Sequence, residues 1–183
     1  MVSLMALWLP ILVSALVVFI ASALLHMLLP LHMNDWSKLP DEEAARTALR
    51  SVPPGDYMVP RGDGMSSMKD PEFLQKYREG PVVLMTVHPP GEPAMGKNLM
   101  QWFVLTVIVS IFAAYVAGRA LGPGADYLDA FRFAGTTAFA AYALGQVQES
   151  IWTGRKWSTT FKNVFDALVY ALLTAGVFGW LWP

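Results

Sequence analysis

The sequence contains no cysteine, which excludes a disulfide framework, thiolate metal sites and a cysteine nucleophile. It is also poor in charge. Only 15% of its 183 residues are Asp, Glu, Lys or Arg, against about 25% in a typical soluble domain. The net charge is -1, so the basic excess of a nucleic-acid binder is missing. Met1 to Leu31 has no Asp, Glu, Lys or Arg at all. What is abundant is apolar: 55% hydrophobic residues and a mean hydropathy of +0.41. These numbers indicate a membrane protein in contact with lipid, and they point to no reaction.

The hydrophobic runs predict an all-α membrane protein with four transmembrane helices in a bundle. The first span occupies residues 1–30, with an apolar heart from Ile11 to Leu29. At about 1.5 Å per residue that stretch crosses a hydrocarbon core of about 30 Å. Its start, MVSLMALWLP, has no basic residue, so a retained helix is expected and not a cleaved signal peptide. Residues 99–183 carry the other three spans: Leu99 to Gly118, Tyr127 to Val147 and Phe161 to Trp182. The seven tryptophans fall at or near the predicted span ends, where indole prefers to sit.

Eleven of the thirteen Lys and Arg residues lie on the side that holds residues 31–98 and the loop containing Arg155, Lys156 and Lys162. The positive-inside rule puts that side in the cytoplasm and both termini outside. Within the membrane, small residues at four-residue spacing let helix backbones approach. Such ladders are Ser110, Ala114 and Gly118; Ala130, Ala134 and Ala138, then Ala141 and Gly145; and Ala167, Ala171, Ala175 and Gly179. The first span has a weaker set, Ser14, Val18, Ser22 and His26, which predicts an edge position.

Residues 31–98 form a polar, Pro-rich cytoplasmic insert with a small α+β character. Asp41 to Arg50 predicts a helix with acids first and Arg last, as the helix dipole favours. Asp70-Pro71 predicts an N-cap followed by Pro at the first helical position, hence a helix over Pro71 to Glu79. Asp56 to Val59 and Pro81 to Val87 predict strands.

Few motifs survive scrutiny. Gly91 to Asn98 approximates a phosphate-binding loop, but Asn98 replaces the required hydroxyl, and Glu92 and Pro93 stand where phosphate needs N–H donors. It is a turn leading into the second span. His26-Met27 and His32-Met33 repeat a His-Met pair, so His26 is the candidate ligand for a haem or pigment. The two histidines are separated by Pro30, no neighbouring carboxylate is expected to orient either ring, and no metal site is assigned. Asp166 is the acid set deepest in a span, and intramembrane acids default to function. An i,i+4 pair with Lys162 is its simplest partner. Structural or partner contacts are expected at Asp166, Lys162, Arg132 and Asp129. No catalytic constellation is found.

The stretches from Ser110 to Gly124, Val164 to Pro183, His32 to Arg50 and Val52 to Pro60 resemble a group of small, uncharacterised bacterial membrane proteins. The resemblance covers most of the chain and implies a multi-pass protein of the bacterial inner membrane, with no assigned activity. Together these readings predict a non-enzymatic accessory or stabilising subunit of a larger membrane assembly, partnered by other integral membrane subunits. The alternatives are a haem- or pigment-binding protein using His26 and a small transporter using Asp166.

Overall fold

A computed structural model describes residues 1–183. The chain is mostly helical and divides into two compact units: Met1–Trp36 with Ala94–Pro183, and Ser37–Pro93.

The first unit holds four long helices, α1 (Trp8–Met27), α4 (Met95–Ala120), α5 (Tyr127–Thr153) and α6 (Trp157–Trp180). A 3-10 turn over Leu4–Leu7 extends α1 at its start. Three of these are long and apolar enough to cross a membrane: Leu4–Met27, Met95–Ala120 and Trp157–Trp180. The helix α5 is the longest at 27 residues, but Asp129, Arg132, Gln146, Gln148 and Glu149 make it less apolar. In neighbour order, α1 packs on α4, α4 on α5, α5 on α6, and α6 back on α1.

The packed faces are built from the smallest side chains. Ala113, Ala114, Ala117, Ala130, Ala134, Ala138 and Ala175 are fully buried. A Cβ added at Gly135 would stand 2.8 Å from the Cβ of Ala175, which shows how closely α5 and α6 approach. Their connection turns at Gly154, whose φ of 71° places it in the left-handed region that favours glycine. The outward faces carry large apolar residues, as on α1, where Leu12, Leu16, Ile20 and Leu24 are exposed at four-residue spacing. This distribution suits lipid, because burying Leu gains nothing against hydrocarbon while close backbone contact does.

Two sequence expectations about packing are corrected. First, α1 does not sit at an edge. Its serines make interhelical hydrogen bonds, with Ser14 Oγ donating to Ser110 Oγ at 3.0 Å and Trp102 Nε1 donating to Ser22 Oγ at 2.7 Å. Second, the small ladder of α5 stops at Ala138. Ala141 and Gly145 are exposed, and the buried positions that follow are Tyr142 and Ala143. Tyr142, Tyr170 and Trp102 contact one another, with ring centroids 5.5–6.1 Å apart. Small residues line the helix contacts over part of their length, and these three aromatics pack against one another beyond them.

The second unit contains α2 (Glu42–Leu49), β1 (Gly55–Val59), α3 (Pro71–Glu79) and β2 (Val83–Val87). Asp41 caps α2 by accepting from Ala44 N at 2.9 Å, and Asp70 caps α3 by accepting from Glu72 N at 3.0 Å. The strands pair antiparallel with Tyr57 opposite Met85. No residue in 37–93 is fully buried.

Candidate metal centre

The centre starts from a proline. Pro30 has no N–H to continue a helix and forces the residue before it toward extended backbone. Leu29 accordingly adopts φ −92° and ψ 137°, and Pro30–His32 form a single 3-10 turn. This reversal carries His32 back to the end of α1, where its ring stacks on His26 with centroids 4.4 Å apart and planes 4° from parallel. The next turn, closed by Asp35 N donating to His32 O at 3.1 Å, brings Asp35 to the same place.

The hydrogen bonds place a hydrogen on Nδ1 of both imidazoles. His26 Nδ1 faces Ser22 O at 3.0 Å, so it carries hydrogen and donates. His32 Nδ1 faces Asp35 Oδ2 at 2.7 Å and donates in the same way. Each ring therefore turns Nε2 toward Asp166 on α6. His32 Nε2 lies 2.8 Å from Asp166 Oδ2, and His26 Nε2 lies 3.7 Å from the same oxygen. The three ligand atoms lie within 4.8 Å of one another. Asp166 is 3% exposed, and its Oδ1 has no hydrogen-bond partner, which is costly for a buried carboxylate.

Asp35 supports the centre from behind. Its Oδ1 accepts from Lys162 Nζ at 2.7 Å and from Thr159 Oγ1 at 3.4 Å. Burial pushes the Asp35 carboxyl up, but the hydrogen bonds and charges of Lys162 and His32 pull it down further, so it is held below the usual carboxylate range. It is thus charged at neutral pH and fixes the ring of His32, as carboxylates do behind metal-bound histidines.

His26 and Asp166 also line a cavity of about 670 Å³. Tyr142, Tyr170, Trp102 and Arg155 are on its wall, and the Tyr142 and Tyr170 hydroxyls are buried without a partner. His32 is not on that wall.

Two histidine nitrogens and one carboxylate are a ligand set for zinc and its first-row neighbours. Mg²⁺ and Ca²⁺ call for six or more oxygens and do not match. Of the residues expected to matter, the structure brings His26 and Asp166 together. Lys162 is close by, but it pairs with Asp35 and not with Asp166. Asp129 and Arg132 bond only each other, at 3.3 Å, on the exposed side of the first turns of α5. The expectation that no neighbouring carboxylate orients either histidine is overturned by Asp35, whose three-residue spacing from His32 was the available signal. A scan of protein-family models and searches of curated proteins and solved structures find no match to this chain.

Proposed function

We propose that this chain is a four-span protein of the bacterial inner membrane that binds a divalent transition-metal ion of the zinc class through His26, His32 and Asp166. The observation that carries the reading is the convergence of two histidine Nε2 atoms on one buried carboxylate whose second oxygen has no partner. The reading of α5 as the fourth span is supported by its packing on both α4 and α6 and by charged residues that stand near its two ends. The basic residues put the metal end of the helices and the insert in the cytoplasm. The bacterial setting rests on the resemblance described above. The activity assigned is binding, not a reaction.

Two other readings are less well supported. Haem or pigment ligation by His26 is opposed by Asp166 Oδ2, which stands 3.7 Å from His26 Nε2, within the space a porphyrin ring centred about 2 Å from that nitrogen would sweep. An accessory-subunit role draws on exposed Met65, Met68 and Tyr77 of the insert, but single exposed apolar residues are ordinary on any surface.

The test is a Co²⁺ titration of metal-stripped protein in mild detergent, followed by visible absorption and by Zn²⁺ displacement. Saturable one-to-one binding is expected, with affinity reduced by more than about 100-fold in both His32→Ala and Asp166→Asn, since even outer-shell changes cost 10–100-fold. Binding that both variants retain at wild-type strength would overturn the reading.

A further inference from the structure

We propose that the metal centre serves a second ligand, a long-chain carboxylate whose head group completes the ion's coordination and whose tail occupies the adjoining cavity. This rests on the metal reading. Three ligands leave a tetrahedral ion one position short. His26 and Asp166 line the cavity while His32 does not, so the protein encloses the ion from the His32 side and the vacant position faces the cavity.

Charge selects the head group. With both imidazoles neutral and an ion of charge +2 in place, Asp35 and Asp166 oppose the ion, Lys162 and Arg155. An excess of two positive charges remains. Lys162 is held by Asp35, whereas Arg155, on the cavity wall, makes no ion pair. The Tyr142 and Tyr170 hydroxyls add two buried donors without acceptors. The ion, Arg155 and the two hydroxyls match in number the four lone-pair sites of a carboxylate.

The remaining wall selects the tail. Phe19, Ala23, Met27, Met95 and Leu99 are apolar, and Met27, Met95 and Leu99 are exposed on the outer surface of the helices. A tail entering there comes from lipid. The volume is that of a small-molecule site, which runs to about 300–1,000 Å³.

The experiment uses full-length protein loaded with Co²⁺ in mild detergent, with palmitate, acetate and hexadecanol as probes. Palmitate should shift the visible Co²⁺ bands and saturate at one per protein. Acetate, the head group alone, should shift them only at far higher concentration, and hexadecanol, a tail without charge, should leave them unchanged. Arg155→Gln should weaken palmitate binding about tenfold or more, the loss of one charge-assisted hydrogen bond, while Co²⁺ affinity is not reduced, because a like charge beside the ion is removed. Tyr170→Phe should weaken palmitate as well. Co²⁺ binding with bands that palmitate does not move overturns this inference alone. Equal potency of acetate and palmitate also overturns it, because the tail then has no site. Failure to bind Co²⁺ overturns both readings.

Discussion

The two ends of the helical unit are built on opposite principles. At the end remote from the metal centre, hydrogen bonds tie both chain termini to the helices and their connection, beside a smaller cavity of about 370 Å³. Val2 N donates to Gly118 O at 2.8 Å and Gly124 N donates to Pro183 O at 2.6 Å, while Trp182 Nε1 donates to Gly122 O at 3.0 Å. Leu7 and Phe178 are fully buried there. At the other end, polar atoms converge without mutual satisfaction: Asp166 Oδ1 and the hydroxyls of Tyr142 and Tyr170 lack partners beside a cavity. Natural structures leave few buried polar groups unpaired. Three of the four buried side-chain atoms without a partner, all but Thr174 Oγ1, belong to residues on the wall of that cavity, and this sets the end proposed to hold a ligand apart from the end where the chain termini are tied down.

The sharpest way to break the comparison is at the end where the termini are tied down. A Cβ on Gly118 would stand 2.6 Å from the Val2 carbonyl oxygen, a backbone atom that no rotamer change can move. Gly118→Leu should lower stability by about 3 kcal/mol, the upper range for overfilling, read as a fall in the thermal midpoint in detergent. Gly145→Ala, at the open end with nothing within 4 Å, should leave that midpoint unchanged or raise it, since Ala is the better helix former. Equal losses in the two variants would erase the distinction between the ends.

Next in size is the seam between α5 and α6. Ala171→Leu should cost about 1–3 kcal/mol, whereas Leu172→Ala, at a half-exposed position, should change stability by less than about 0.5 kcal/mol. Thermal midpoints of the two variants in the same detergent provide the check. A larger loss from Leu172→Ala would show that the outward leucines hold the unit together.

At the open end, Asp35→Asn keeps the shape of the support behind His32 but removes its charge. Ion affinity should fall about 10–100-fold, measured by Co²⁺ titration, with a smaller loss of thermal stability than at Gly118. The smallest effect is expected at Arg132. It is an exposed partner of Asp129, and such pairs contribute about 0–1 kcal/mol, so Arg132→Gln should alter neither the midpoint nor the ion affinity measurably.

Local chemistry explains which parts were legible beforehand. The caps Asp41 and Asp70, the proline at the start of α3 and the alanine ladders act within one or two turns, and their consequences can be read residue by residue. The strands needed only small adjustment at their ends, to Gly55–Val59 and Val83–Val87. The centre was harder because its geometry is made by a reversal. Pro30 ends α1 and makes His26 and His32 look unrelated along a helix, yet that same break stacks their rings. Lys162 and Asp166 are one helical turn apart and invite pairing, but Asp35 reaches Lys162 from the far side of the turn. Only tertiary contact reveals which carboxylate each cation meets.

The span of the His32–Asp166 contact has a consequence for biosynthesis. The two residues are 134 positions apart, and Asp166 arrives only with the last long helix. Until α6 has been synthesised, inserted and docked against α1, the nascent chain offers two histidines and no third ligand. Under the proposed metal binding, an ion held only by the completed site adds its binding energy to folding, and occupancy would register that the final helix is in place. A chain truncated before α6, or one with α6 inserted but undocked, would stay empty at the same metal concentration that fills the finished protein.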